Sequence, residues 1–185
     1  MKPLRAFPFP FNIGTDICQI SRIYNILSGP RALRFVNRVL APEELAKKDV
    51  RLNVLDQAAA HKVPSRGARS KASKKHQPHE YIASKDPELW KCAAFIAGRF
   101  AVKEAAIKAH PHRHLTFHDI MIERRLVKGE VLGSGPPIAR IRSGEGEAED
   151  TSAMVSISHD GDYATAVCLG YEPDNENRRN RDGIT

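Results

Sequence analysis

A carboxylate within an apolar helix face is the first indication of chemistry in this sequence. Residues 98–109 read GRFAVKEAAIKA, and at about 100° per residue Phe100 and Ile107 share an apolar face into which Glu104 falls. A glutamate that meets only solvent is expected on the opposite face. The alternative is an ordinary surface ion pair between Glu104 and Lys108, but the position of Glu104 on the buried side favours a functional carboxylate.

Lysine and arginine side chains surround that carboxylate. Lys103 and Lys108 flank Glu104, and Arg99 lies one helical turn before Lys103 on the same edge. Arginine is suited to bidentate phosphate contacts and lysine to neutralising a point charge. Together with His159, which follows a predicted strand near the end of the sequence, these cations are expected to bind an anion such as a phosphate.

A second candidate carboxylate is Asp16. Residues 11–17 alternate between apolar and polar side chains, which is the period of a half-buried strand and predicts Asp16 at the strand end on its polar side. Asp16 could simply cap the helix that follows. If both Asp16 and Glu104 face inward, they need a cation between them, and Mg²⁺ typically takes one or two carboxylates together with phosphate oxygens and waters. The pair therefore predicts a Mg²⁺-dependent phosphate-transfer site.

Hydrophobic periodicity predicts the elements that position these residues. Helical spacing is found at residues 17–27, 31–40, 42–45 and 90–109. Alternating stretches that are typical of strands are found at residues 117–123, 138–141, 154–158 and 163–169. Helices come first, strands follow, and no GxGxxG or Walker sequence is present. The predicted fold class is therefore α+β, with helices packed on a mostly antiparallel sheet.

Four arginines are predicted to share one surface. Arg31, Arg34 and Arg38 recur at i, i+3 and i+7 on the second helix, and Arg22 lies on the first. One interpretation is a solvated basic stripe. The other is a docking face for an acidic partner, where charge complementarity mainly raises the association rate.

Most of the net charge of +7 comes from one segment of the 185 residues. Every Lys, Arg, Asp or Glu between Gln57 and His79 is basic. The stretch from about 46 to 87 is rich in Lys, Ser, Pro and His and predicts a disordered insertion in a single domain that covers 1–185, with a polar tail at about 172–185. A nucleic-acid-binding protein is an alternative, but a single tryptophan and few other aromatic residues offer no stacking platform.

Other sequence signals exclude several classes. Cys18, Cys92 and Cys168 form no CxxC pair, which predicts buried thiols in a reducing compartment. The histidine-rich residues 110–118 have no carboxylate or thiol at a matching spacing, so they are interpreted as a polar loop rather than a metal site. No apolar run is long enough to span a bilayer, and the first residues lack the apolar core of a secretory signal. A membrane partner is therefore not expected.

Three motifs together resemble those of the holo-acyl-carrier-protein synthases, in the 4′-phosphopantetheinyl transferase superfamily. They are GTDICQISRI at 14–23, GRFAVKEAAIKA at 98–109 and SISHDGDYATAVCL at 156–169. The resemblance covers roughly residues 11–45 and 90–170 and implies the 4′-phosphopantetheinyl transferase fold. It also implies a reaction in which a serine hydroxyl of an apo acyl carrier protein attacks the β-phosphate of coenzyme A and releases 3′,5′-ADP.

The resemblance implies roles for individual residues. Asp16 and Glu104 would be the Mg²⁺ ligands, Glu104 would also orient or activate the group that deprotonates the serine, and Lys108 would neutralise the pyrophosphate. The coenzyme A contacts would come from one set of polar and cationic side chains: Arg99, Lys103, Lys108, Ser156, Ser158 and His159. The acidic helix of the carrier protein would dock on the arginine surface: Arg22, Arg31, Arg34 and Arg38.

The resemblance also bears on assembly and compartment. The short form of the family implies a homotrimer with sites between neighbouring subunits. A long basic insertion resembles fungal members that serve a mitochondrial carrier protein in fatty acid biosynthesis, so the mitochondrial matrix or the cytoplasm is expected. The remaining alternative is a catalytically silent homologue that only binds coenzyme A or a carrier protein, although every acid and cation that the reaction needs is present.

Overall fold

The computed structural model describes residues 9–60, 78–124, 135–144 and 149–171. Their strands form one antiparallel sheet with the order β1-β5-β4-β3-β2. The strands are β1 (Phe11–Gln19), β2 (Ile120–Arg124), β3 (Pro137–Ile141), β4 (Thr151–Asp160) and β5 (Tyr163–Tyr171). The expected α+β class and the mostly antiparallel sheet are confirmed.

The described helices cover one face of this sheet. They are α1 (Ile20–Leu27), α2 (Ala32–Val39), α3 (Pro42–Ala46), α4 (Asn53–Ala60), α5 (His79–Lys85) and α6 (Pro87–Lys108), with 3-10 turns at Val50–Leu52 and Phe117–Asp119. The described flanks of the expected insertion thus contain helices, in contrast to the disorder that their composition predicts. Its basic centre, 61–77, and the tail from 172 lie outside the described residues.

Helix α6 is the central element because it packs on several strands and on α1. It begins where the Asp86 carboxylate accepts a hydrogen bond from the Leu89 backbone N–H at 3.2 Å, and Pro87 occupies its first turn. Small residues along its buried side allow close packing. A Cβ on Gly14 of β1 would lie 1.9 Å from the Ala105 carbonyl oxygen, so only glycine permits this approach of the strand to the helix.

The two faces of β1 are the reverse of the sequence prediction. Gly14 and Cys18 are buried and Asp16 is half-buried, whereas Ile13 and Ile17 are 72% and 63% exposed. Asp16 also lies inside the strand, which continues to Gln19, rather than at its end. Asp16 therefore faces the helices, as an inward-facing carboxylate must, whereas the prediction that the apolar residues form the buried side of this strand was wrong.

The turn between β4 and β5 holds the start of α1. Gly161 has φ of +52°, the left-handed conformation that a glycine adopts without strain. The neighbouring Asp162 carboxylate accepts hydrogen bonds of 2.7 Å from the Ser21 N–H, the Ser21 hydroxyl and the Gln19 side-chain amide. The cap of this helix therefore comes from Asp162 and not from Asp16.

The remaining sequence signals fall in the core and at the loops. Cys18, Cys92 and Cys168 are buried free thiols, as expected. His110 and His118 each bond a backbone carbonyl oxygen, of Ala106 at 2.7 Å and of Asn37 at 2.8 Å. Among the described residues, no helix is long and apolar enough to cross a membrane.

Candidate active site

The C-terminal end of α6 meets β1 through charged side chains. The Lys108 ammonium lies 2.8 Å from a carboxylate oxygen of Asp16 and donates to the Thr15 carbonyl oxygen at 3.0 Å. Glu104 lies one helical turn before Lys108, on the same edge of the helix. It is half-buried, and its carboxylate forms no hydrogen bond or ion pair with the residues that the structure describes. This edge therefore joins Asp16 and Lys108 and leaves the Glu104 carboxylate available.

A cationic cleft of about 600 Å³ lies beside the first half of α6. Its walls come from α6, from strands β2, β3 and β4, and from the turn before α4. The charged side chains that line it are mostly basic: Arg51, Lys91, Arg99, Arg124 and Glu123. His159 lines it as well. Such an excess of positive charge in a concave surface attracts a phosphorylated ligand.

Arg99 is fixed at the back of this cleft. Its side chain is 22% exposed and donates to the Ile122 carbonyl oxygen at 3.2 Å. The Phe95 ring lies near two guanidiniums, with Cζ of Arg51 at 3.9 Å and Cζ of Arg99 at 5.1 Å from its centroid. Burial lowers the pKa of the Arg99 guanidinium, and the nearby Glu44 carboxylate opposes that effect.

His159 lies directly on α6. Its Nε2 is 3.0 Å from the Ala94 carbonyl oxygen, so Nε2 carries the donated proton and Nδ1 is available to a ligand. A Cβ on Gly98 would lie 2.9 Å from the same Nε2. The glycine therefore makes room for the imidazole, and the structure brings His159 and Arg99 into one cleft.

Ser156 and Ser158 point to the other side of the sheet. Along β4 they are exposed and alternate with Val155 and Ile157, which face the helices together with His159. Within a single chain the structure does not bring these two serines into the cleft. Their contact with coenzyme A stays a prediction.

Lys103 is not on the surface. Its side chain is 0% exposed, it donates to the Phe117 carbonyl oxygen at 2.9 Å, and its ammonium pairs with the buried carboxylate of Glu44. Burial lowers the pKa of the Lys103 ammonium, against the effect of Glu44. The expectation that Lys103 flanks Glu104 as a ligand-facing cation is therefore corrected: in this fold it belongs to the interior.

Two side chains of the site were missed in the sequence. Glu44 is buried, and its only sequence signal is its position three residues after Ala41, where its carboxylate accepts a hydrogen bond from the Ala41 N–H at 3.0 Å, one half of a capping box. Arg51 falls in the stretch expected to be disordered. It forms a two-point contact with Asp49, at 2.8 Å and 2.6 Å, which orders this stretch at the edge of the cleft.

The predicted arginine surface forms a second concavity, of about 810 Å³, between α1 and α2. All four of its arginines line it: Arg22, Arg31, Arg34 and Arg38. Apolar side chains of Ile26 and Phe35 lie between them. The concavity combines positive charge with an apolar floor, which suits an acidic amphipathic helix.

Curated relatives match nearly the whole chain. The mitochondrial 4′-phosphopantetheinyl transferase B of Aspergillus fumigatus is 32% identical over 171 residues, which cover 90% of this chain and 97% of the relative. The chain belongs to the 4′-phosphopantetheinyl transferase family. This family of enzymes includes a holo-acyl-carrier-protein synthase of Geobacillus kaustophilus, 32% identical over 157 residues and 83% of each chain. No family model matches.

Solved structures agree with the phosphopantetheinyl transferase fold. The holo-acyl-carrier-protein synthase of Plasmodium yoelii matches with a TM-score of 0.52 and 23% identity, over 88% of this chain and 95% of its own. The same enzyme with ADP bound matches with a TM-score of 0.53 and 24% identity, over 88% and 96%. The expected fold and the family assignment from the three motifs are thus confirmed.

Proposed function

We propose that this transferase moves the 4′-phosphopantetheine arm of coenzyme A to a serine of an acyl carrier protein and releases 3′,5′-ADP. The observation that carries the proposal is the shared edge of α6 and β1, where Lys108 bonds Asp16 one turn from the available carboxylate of Glu104. The family assignment supports the same reaction, since the named relatives are holo-acyl-carrier-protein synthases and phosphopantetheinyl transferases.

The donor set at this edge fits Mg²⁺. Asp16 and Glu104 offer carboxylate oxygens, the hard ligands that Mg²⁺ prefers, and the ion takes its other ligands from phosphates and water. Among the described residues, no three His, Cys, Asp or Glu side chains are grouped so that they could hold a metal ion by themselves. A site of one or two carboxylates plus substrate phosphates does not need such a group. When bound, the ion would supply charge neutralisation at the pyrophosphate.

The residues of this chain would then act mainly by position and charge. The serine oxygen of the carrier protein attacks the β-phosphorus of coenzyme A, a new O–P bond forms, and the bond to the α-phosphate oxygen breaks. Glu104 would orient the water or hydroxyl that takes the serine proton. Lys108 would leave Asp16 to neutralise the charge that develops on the 3′,5′-ADP oxygen, which is the kind of stabilisation that dominates phosphoryl transfer.

The cationic cleft is the proposed position of the nucleotide end of coenzyme A. Arg99 and His159 would bind the 3′-phosphate, and Arg51 lies at the same wall. At 1.5 Å per residue, Arg99 and Lys108 are about 14 Å apart along α6. An extended ligand such as coenzyme A can span that length, with its nucleotide in the cleft and its pyrophosphate near Lys108.

A carrier protein would dock on the arginine surface. Carrier-protein recognition requires a surface that accepts an acidic helix, and the concavity between α1 and α2 offers four arginines around the apolar side chains of Ile26 and Phe35. Helix α1 begins directly after β1, so this surface adjoins the strand of Asp16.

The outer face of the sheet supports a homotrimer. Its exposed apolar side chains include Ile13, Ile17, Met154 and Val167, and a second copy of the chain is the proposed cover. Ser156 and Ser158 lie on the same face, so they would reach coenzyme A only across a subunit boundary. For compartment we propose the mitochondrial matrix, in line with the Aspergillus fumigatus relative that is named mitochondrial.

The decisive experiment measures the intact mass of an apo acyl carrier protein after incubation with this protein, coenzyme A and Mg²⁺. A gain of one phosphopantetheine that EDTA prevents is the expected result. No gain with either a mitochondrial or a bacterial carrier protein would contradict the proposal and leave a homologue that only binds its ligands.

A further inference from the structure

A buried carboxylate lies directly behind the cationic cleft and has no part in the reaction proposed above. Glu44 on α3 is 7% exposed. Its two oxygens accept hydrogen bonds from the Ala41 N–H at 3.0 Å and from the Ile122 N–H at 3.2 Å, and its other partner is the Lys103 ammonium. Arg99 lies 4.0 Å from it. One carboxylate thus joins α3, α6 and β2.

The surroundings of Glu44 require its negative charge. Lys103 is fully buried, and a buried ammonium without a counter-ion is costly. Arg99 is largely buried as well, and its guanidinium adds a second positive charge within 4.0 Å. The two cations therefore share Glu44 as their neighbouring carboxylate.

The backbone of one residue, Ile122, connects Glu44 with the orientation of the Arg99 side chain. The N–H of Ile122 donates to Glu44, and the carbonyl oxygen of the same residue accepts from Arg99 at 3.2 Å. Arginine has five N–H donors in a rigid plane. Ile122 and Glu44 hold one edge of the guanidinium plane. The remaining N–H donors of Arg99 are thereby oriented toward the cleft, which Arg99 lines.

We propose that Glu44 is a positioning residue for coenzyme A: it holds Arg99 in the orientation that binds the 3′-phosphate and so gives the enzyme its preference for coenzyme A over dephospho-coenzyme A. The inference rests on the proposed function. Glu44 does not touch the substrate. It acts through the guanidinium of Arg99, and its contribution should disappear when that guanidinium is absent.

The test compares Glu44→Gln with Glu43→Gln, its neighbour on α3. Glu43 is exposed and pairs with Arg142, so its variant is the matched control. Calorimetric titration gives the dissociation constants of coenzyme A and of dephospho-coenzyme A. The ratio of the second constant to the first measures the preference for coenzyme A. We expect the ratio to fall about tenfold in Glu44→Gln, the size of a lost charge-assisted contact, and to stay at the wild-type value in Glu43→Gln.

A double-mutant cycle separates positioning from general damage to the fold. In an Arg99→Met background the ratio is already low, and Glu44→Gln should lower it no further. Equal loss of affinity for both ligands, or an unchanged ratio, would overturn the inference. If Glu44→Gln does not fold because Lys103 is left unpaired, the variant E44Q/K103M removes both charges together and must show the same lowered ratio.

Titration of the wild-type protein distinguishes failure of the proposed function from failure of the role proposed for Glu44. If the wild-type protein binds neither ligand, the proposed function itself fails. If it prefers coenzyme A and the Glu44 variants keep that preference, only the role of Glu44 is wrong.

Discussion

Lys108 on α6 holds Asp16 on β1, with 2.8 Å between the ammonium nitrogen and the nearer carboxylate oxygen. The ammonium is half exposed, with 51% of the side chain accessible, whereas Asp16 is largely enclosed at 17%. A contact of this kind contributes little to stability at a protein surface. In the proposed reaction, Lys108 would therefore leave Asp16 for the pyrophosphate at small cost.

Replacement of Glu104 by Gln should reduce transfer at least a thousandfold, because the amide lacks the charge that we propose to bind Mg²⁺ and to orient the proton acceptor. The thermal unfolding temperature should stay unchanged, since the Glu104 carboxylate forms no hydrogen bond or ion pair with the described residues. Transfer is measured by the mass of the carrier protein. Glu88→Gln, in the surface pair with Lys91 at the other end of α6, is the matched control, and near-normal turnover of Glu104→Gln would refute its role.

Lys108→Met should lower kcat about a hundredfold, in the range that loss of one charge-stabilising donor produces. The unfolding free energy should change by less than about 1 kcal/mol because the Lys108 side of the ion pair is half exposed to solvent. Steady-state kinetics gives kcat, and urea unfolding gives the unfolding free energy. Lys85→Met on α5 is the control for loss of a surface lysine, and a kcat equal to that of the control would exclude Lys108 from the reaction.

Charge reversal on the arginine surface should affect one substrate only. In the variant R34E/R38E we expect KM for the carrier protein to rise at least tenfold, because an acidic helix then meets negative charge. KM for coenzyme A serves as the internal control and should stay constant. Parallel changes in both constants would show that the surface is not a separate docking site.

The buried thiols make the fold sensitive to alkali. Burial raises the pKa of Cys92 and Cys168 from 9.0 to about 12, so both stay protonated in the folded state while the unfolded chain loses these protons above pH 9. The unfolding free energy should then fall by about 1.4 kcal/mol per pH unit for each thiol. Urea unfolding between pH 8 and 10.5 should show a shallower decline for C92A/C168A than for the wild type, and equal slopes would contradict the prediction.

Charges on the outer sheet face should separate the subunits. Ile13 and Ile17 are 72% and 63% exposed in the single chain, so I13K/I17K leaves the core intact and disfavours contact between copies. Light scattering should report a trimer for the wild type and a monomer for the variant. Val50→Lys, at another exposed apolar position, should stay trimeric, and a monomeric wild type would remove the basis for the proposed assembly.

Hydrophobic periodicity in the sequence predicted the central helix but not which face of β1 is buried. It predicted the central helix around Glu104, because a period of 3.6 over many residues is a strong signal. It gave the wrong buried face for this strand, because Ile13 and Ile17 have the alternation of buried residues although they lie on the outer face. Apolar side chains on an exposed sheet face recur with the same period of two as those on a buried face, so periodicity alone cannot separate the two.

Side-chain contacts between residues far apart in the sequence were the other feature that the sequence did not predict. Lys103 has a polar side chain in a helix, and nothing nearby in sequence indicates that it meets Glu44, 59 positions away, in the interior. Arg51 was hidden for a related reason, since the composition of its neighbourhood is that of a disordered chain while its contacts with Asp49 and Phe95 are specific. Contacts of this kind are consequences of the fold rather than of local sequence.

The hairpin of β4 and β5 contacts both the cationic cleft and the start of α1, so it would support both proposed substrate sites. His159 lines the cationic cleft. Three positions later, the Asp162 carboxylate accepts a hydrogen bond from the Ser21 N–H in the first turn of α1, next to Arg22. If the nucleotide and the carrier protein bind where we propose, the four residues 159–162 around Gly161 set the spacing between them. A longer or stiffer turn there would change the distance that the pantetheine arm must cover, without altering a single residue that touches either substrate.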